Sequence, residues 1–422
     1  MESPPSNGMR RQPPVHAGEG SHNDRPHPDR LRNSLIIGRS PAVWALFALL
    51  ILLATVSLAT GMRQAWLSNG DFDMRTRVSE YASFRAGVYP NRVLEGSSSP
   101  PPVPYTVYPP YALPMFAFFF EPGGTLQGRI LIESMSLASL VVIGIYGFRQ
   151  LAFAGPALAS VGGIAGAAIM ANSTALALGQ FSIISAGLIA QQIIFLERKR
   201  PVAAGVCWAL AMLKPQMALA FAVLFLLDRQ WRGLAIGVVM LAALSLFACW
   251  WTEVPPVRVI QHFTFHSPVT FSDTISVTGP AQMAGRLGLN PRLAQLLALM
   301  ALGMFAALCW WLAPLRLEEA ATRAQVAGVC AVLGELLFYH RHYDNIMLFP
   351  TILGMLALAA SAPSWVTLGT TALMGLTIWV PQRVIELIPY GALLRSLIWV
   401  MVAMVLLTRV VRGNRPAGNA DR

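Results

Sequence analysis

Apolar residues in this chain fall into repeated, nearly uninterrupted blocks of about twenty, the length an α-helix needs to cross the hydrocarbon core of a bilayer. With 55% hydrophobic residues, 12% charged residues and a mean hydropathy of +0.54, few polar residues remain to cover a soluble surface. The blocks read as helices at roughly 42–62, 127–148, 153–171, 178–196, 202–213, 215–227, 233–251, 292–313, 324–339, 345–360, 364–380 and 391–410. Only helices or closed barrels satisfy their backbone in lipid, and runs this long without alternation exclude a barrel. The expected fold is an all-α polytopic membrane protein of about twelve transmembrane helices, with about ten to thirteen compatible with the pattern.

Residues 1–40 carry too little apolar content to fold and read as a disordered cytoplasmic tail, 41–410 as the transmembrane domain, and 411–422 as a second tail. Six arginines in the first tail and four after residue 408 favour the cytoplasm, which requires an even number of crossings. Most of the net charge of +11 is therefore topological; membrane lipids are its partner and nucleic acid is not. The basic clusters "ERKR" (197–200) and "DRQWR" (228–232) both belong inside, although a single apolar stretch separates them. That stretch must be a hairpin of two short helices turning at "LKPQ" (213–216), where Pro215 breaks the helix and leaves Lys214 at the tip. By the same reckoning "NSTALALGQ" (172–180), "YHRHYDN" (339–345), "PQRVIELIPYG" (381–391) and the two large loops 63–126 and 252–291 fall outside. Every cluster of unusual polar residues then lies at the extracytoplasmic face rather than at mid-membrane.

In the first loop, "GDFDMRTRVSEYASFRAGVYPN" (70–91) places Asp73 and Arg77, and likewise Asp71 and Arg75, at i, i+4, with Glu80 on the same helical face as Asp73. Spacing alone is compatible with an interfacial amphipathic helix carrying weak ion pairs. An acid held beside the membrane next to arginine is also what a base acting on a hydroxyl requires. "YTVYPPYALPMFAFFFEP" (105–122) contains an apolar run too short to span, which fits a re-entrant or interfacial segment. Lys214 is one of two lysines in the chain, and a buried ammonium at a proline-broken turn calls for an anion such as a lipid phosphate; snorkelling to the interface is the alternative. His340, Arg341, His342, Asp344 and Asn345 stand together at a helix boundary and suit phosphate binding, orientation of a hydroxyl, or simple capping. No second ligand cluster accompanies them, so no metal or other cofactor is assigned, although a divalent ion is not incompatible. His262 and His266 are weaker candidates. Cys207, Cys249, Cys309 and Cys330 lie in apolar blocks without ligand spacing and read as core residues.

The ordered set Asp73-x-Arg75-x-Arg77-x-x-Glu80, Gly87-x-x-Pro90, Tyr108-Pro109-Pro110-Tyr111, Gly179-Gln180, Lys214-Pro215-Gln216 and Tyr339-His340-Arg341-x-Tyr343-Asp344-Asn345 resembles glycosyltransferase family 87, relatives of polyprenol-phosphate-mannose-dependent mannosyltransferases. The resemblance implies a GT-C bundle in a plasma (inner) membrane of bacterial type, with the active site at the extracytoplasmic face on a large first loop. It implies a polyprenyl-phosphate sugar as donor, a hydroxyl of an envelope glycan or glycolipid as acceptor, and an inverting displacement. The family's first-loop aspartate falls on Asp73, counted back from Gly87, while Asp71 matches less well. The arginine-rich stretch after Asp73 departs from the mannosyltransferase members.

Asp73 is accordingly the expected base, with Asp71, Asp344 and His340 as the other catalytic candidates. Lys214 with Arg341 or Arg77 would meet the departing phosphate, and Gln180 and Asn172 would hydrogen-bond sugar or phosphate. Glu80, Tyr108, Tyr343 and Asn345 complete the expected substrate-binding set. The rival readings are a transporter or flippase of a lipid-linked or small anionic substrate, and a non-catalytic assembly subunit.

Overall fold

A computed structural model describes residues 40–67, 72–90, 106, 108–121, 124–265, 277–278, 288, 290–311, 320–338, 340–388 and 390–413. The expectations for residues 1–39, for Asp71 and for His266 fall outside those residues. Within them the chain is almost wholly helical; its one pairing is antiparallel and two residues long, Val277 opposite Arg341 and Thr278 opposite His340.

The long apolar α1 (Pro41–Leu67) is followed by the polar α2 (Phe72–Arg85) and the short α3 (Ala112–Phe120). Gly87, at φ +79°, ends α2: its N–H reaches Phe84 O and that of Val88 reaches Ser83 O, a glycine-capped turn. Next, α4 (Gly124–Leu151) folds back on α5 (Pro156–Ala165). Gly147 and Gly162 face each other there, so that a Cβ on Gly147 would lie 2.2 Å from the Gly162 carbonyl oxygen. Such approach of small residues is how helices pack where lipid removes the hydrophobic incentive.

Two short helices, α6 (Ala171–Ala177) and α7 (Ser182–Glu197), meet at a bend of 118°. They are followed by α8 (Pro201–Ala211), α9 (Pro215–Ala218), a 3-10 turn and α10 (Val223–Leu227). Proline opens several of these helices, since its missing N–H would have no partner at the first position. The chain continues through α11 (Trp231–Trp251), α12 (Pro256–Phe265), α13 (Pro291–Trp311) and α14 (Ala320–Leu337). It closes with the 3-10 turn His342–Leu348, α15 (Phe349–Ser361), α16 (Trp365–Trp379), α17 (Gln382–Glu386) and α18 (Gly391–Gly413).

Five stretches of the described residues are long and apolar enough to cross a membrane: Pro41–Leu67, Gly124–Ala154, Trp231–Trp251, His342–Ser361 and Gly391–Val411, or six if the α6–α7 pair is one broken span. That is fewer than the twelve crossings expected. Proline and glycine cut the intervening apolar blocks into short helices such as Pro156–Ala165 and Pro201–Ala211, too short to span singly. The 3-10 turn and α15 sit at the centre of the bundle, 83% buried over the apolar window, whereas α1 is 17% buried and turns most of its surface outward.

The hairpin expected between the two basic clusters is present. At one end Arg323 lies 3.7 Å from both Glu197 and Asp228, so the ends of α7, α10 and α14 meet there. At the opposite end the turns after α6 and α8 bring Gln180 and Lys214 together.

Candidate active site: a buried polar chain between helix breaks

Two local devices build the site. Gly179, at φ +64°, reverses the chain after α6, with Gln180 N–H bonding Ala175 O at 2.8 Å. A side chain at Gly179 would be strained and would bring its Cβ 3.3 Å from that of Met74, so α2 lies directly over the turn. Pro215 drives Lys214 out of the helical region, to φ −120° and ψ 77°, at the head of the hairpin.

These breaks join residues from four separate stretches. Lys214 Nζ donates to Gln180 Oε1 at 2.8 Å and lies 3.2 Å from Asp344 Oδ1. Gln180 Nε2 in turn donates to Asp73 Oδ2 at 2.6 Å. An ammonium can only donate, so the amide oxygen must face Lys214 and the NH₂ must face Asp73. Asp344 also accepts from Ser182 Oγ at 2.6 Å and from the Arg341 N–H at 3.2 Å. The Tyr343 ring centroid lies 4.8 Å from Lys214 Nζ. Lys214, Gln180 and Asp344 are buried, while Asp73, at the outer end of the chain, is half-buried, and its Oδ1 has no hydrogen bond among the described residues.

One turn further along α2, Arg77 Nη1 contacts both Glu80 oxygens at 2.6 Å and lies over the Tyr108 ring, 4.7 Å from guanidinium carbon to centroid. Burial pushes the Glu80 carboxyl up to about 7, because the loss of solvation outweighs the pull of Arg77 and of a hydrogen bond from Thr106. Tyr108 packs edge-on to Phe116 and Phe181, which ties α3 to the start of α7.

α7 with 16 residues and α8 with 11 residues rise by about 24 and 17 Å, each less than the roughly 30 Å hydrocarbon core. The turns that end them carry Gln180 and Lys214, which are buried among the helices together with Asp344.

Other expected site residues stand apart. Asn172 donates to Gly166 O and Ala167 O at 3.0 and 3.1 Å, closing the break before α6. His340 lies 3.3 Å from Glu335 and stacks obliquely on Trp399. Burial, then the positive charge of Arg395, push its imidazole down to about 4, so it is neutral and off the Asp73 chain. Asn345 faces a separate cavity of about 470 Å³ alongside His342 and Thr174. Sequence reasoning missed Ser182, whose hydroxyl is an ordinary helix-start residue until the fold brings Asp344 to it, and Glu335, hidden in an apolar helix. Among the described residues no three His, Cys, Asp or Glu side chains group as metal ligands do.

A family model described as Glycosyltransferase family 87 matches residues 105–339, more than half of the chain. Tyr108, Asn172, Gln180 and Lys214 fall within the match; Asp73, Arg77, Glu80 and the 340–345 stretch lie outside it. Neither a curated protein nor a solved structure matches the chain.

Proposed function

The chain belongs to glycosyltransferase family 87, and on that premise we propose that it moves a hexose from a polyprenyl-phosphate donor to a hydroxyl of an envelope glycan or glycolipid. The observation carrying this reading is the polar chain Asp73–Gln180–Lys214–Asp344, whose outer carboxylate is reachable and whose inner members are fixed. Asp73 takes the proton of the acceptor hydroxyl as its oxygen attacks the anomeric carbon. The bond from that carbon to the phosphate oxygen breaks, and polyprenyl phosphate leaves with the electron pair, inverting the centre. Gln180 occupies one carboxylate oxygen of Asp73 and leaves the other for the acceptor. Lys214, held in place by Asp344, orients Gln180, and its ammonium stabilises the charge that gathers on the leaving phosphate. Asp344, with Lys214, Ser182 and the Arg341 N–H upon it, serves as anchor, which favours Asp73 over it as base.

The test is sugar transfer in membranes from a panel of polyprenyl-phosphate hexoses, with Asp73→Asn beside the unsubstituted chain. Loss of roughly 10²–10⁴-fold is expected for the variant. Retained transfer removes Asp73 as the base. The 118° break with polar residues at its apex is also how transporters bind substrates, so a second reading is a flippase of a lipid-linked sugar. Translocation of a labelled lipid without transfer from any donor would select it.

A further inference from the structure

A cavity of about 470 Å³ opens between α1, α6, α16, α17 and the 3-10 turn His342–Leu348. Residues three apart eclipse in a 3-10 turn, so His342 and Asn345 share the face that lines this cavity. Asp344, a third of a turn away, points instead to Lys214. The turn therefore presents Asp344 to the ion pair and His342 and Asn345 to the cavity.

The chemistry of the walls is specific. Hydroxyl and amide groups from Thr60 and Gln64 of α1, Thr174 of α6 and Asn345 alternate with apolar wall from Met170, Ile378 and Val380, the mixture a sugar ring with its polar edge and apolar face requires. Among the described wall residues Arg383 is the one arginine or lysine, and Glu386 stands with it, which leaves no excess of fixed charge for an anion. Asn345 is 5% exposed, and its Oδ1 is buried with no hydrogen-bond partner among the described residues. A buried acceptor without a donor is costly, and a ligand hydroxyl would satisfy it. The volume falls in the usual range of small-molecule sites, roughly 300–1,000 Å³.

We propose that this cavity holds the sugar of the acceptor, an uncharged ring rich in hydroxyls, beside the 3-10 turn that also carries Asp344. The assignment of that sugar as acceptor rests on the glycosyltransferase reading above; the affinity of the cavity for a neutral sugar does not. Two measurements on the full chain in lipid nanodiscs separate the two. In the first, Thr60→Cys at the rim is alkylated by a membrane-impermeant maleimide, with the unsubstituted chain as blank for the native cysteines. Methyl hexopyranosides are expected to slow labelling at least threefold and inorganic phosphate is not. Equal protection by phosphate, or none by any hexoside, overturns the cavity assignment.

In the second, donor turnover is divided between transfer to an octyl hexoside and hydrolysis by water. Asn345→Leu, and independently the milder Thr174→Val, are expected to lower the ratio of transfer to hydrolysis about tenfold. An unchanged ratio in both overturns the acceptor role. Protection without turnover from any donor supports the sugar site and defeats the glycosyltransferase reading. Turnover without protection does the reverse.

Discussion

Replacing Lys214 by methionine keeps most of the side-chain volume and removes the charge from the centre of the polar chain. Lys214 and Asp344 are 5% and 1% exposed, and their charged atoms are 3.2 Å apart. At an effective dielectric of about 20, that separation corresponds to an attraction of about 5 kcal/mol. Desolvating each ion costs several kcal/mol, so the intact pair lies near break-even. Removal of one partner does not: Asp344 keeps the Ser182 and Arg341 donors but loses its counter-charge, an expected cost of about 3–5 kcal/mol. Asp344→Asn, which strands the ammonium, falls in the same range. The double variant Lys214→Met/Asp344→Asn leaves no buried ion, so its cost is expected below the sum of the two by about 0.5–3 kcal/mol. Unfolding in mixed micelles titrated with a denaturing detergent measures all four forms. Single variants costing under about 1 kcal/mol and adding without coupling would refute the reasoning that a desolvated ion pair holds this site together.

Gln180→Leu removes the amide that positions Asp73; kcat for transfer is expected to fall by at least about tenfold with a smaller change in donor KM, measured by steady-state kinetics. Glu80 retains a proton in the folded chain between its ordinary 4.5 and about 7, where the unfolded chain has released it. Its contribution is therefore full below pH 4.5 and lost as pH rises to about 7, an expected decline of about 3 kcal/mol that Glu80→Gln abolishes in detergent unfolding at pH 5 and 8. A Cβ on Gly205 would stand 2.1 Å from the Gly233 carbonyl oxygen, so Gly205→Leu is expected to cost about 3 kcal/mol or more by forcing α8 from α11. Gly303→Ala, where a Cβ meets nothing within 4 Å, is expected to gain up to about 1 kcal/mol in the same assay.

The membrane class, the hairpin between the basic clusters and the positions of its breaks were legible because each depends on local chemistry. Apolar length decides what can enter lipid, arginine and lysine mark chain ends, and Pro215 and Gly179 turn the backbone wherever they stand. Lys214 stands out for the same reason, as one of two lysines in an apolar chain, whereas Asp73, in a charged stretch, was selected by the family resemblance counted back from Gly87. What one dimension could not provide was distance. Asp73 and Gln180 are 107 positions apart and Lys214 and Asp344 are 130 apart, yet each pair is in contact. Crossing number is less legible: about twelve were expected, and five or six of the described stretches are singly long and apolar enough, because burial inside a bundle of short helices looks the same in sequence as burial in lipid.

The separation of roles among neighbouring residues was a tertiary decision too. His340, Asp344 and Asn345 form one motif in sequence, but a strand-like step and a 3-10 turn send them to three environments: Glu335 and Trp399, the Lys214 ion pair, and the neutral cavity. The sequence by itself determined that this chain folds in a membrane and which residues are too polar to lie there without partners. Only the tertiary structure decided which partner each one has, because burial makes a charge demand a counter-charge while the packing of distant helices chooses the one within reach.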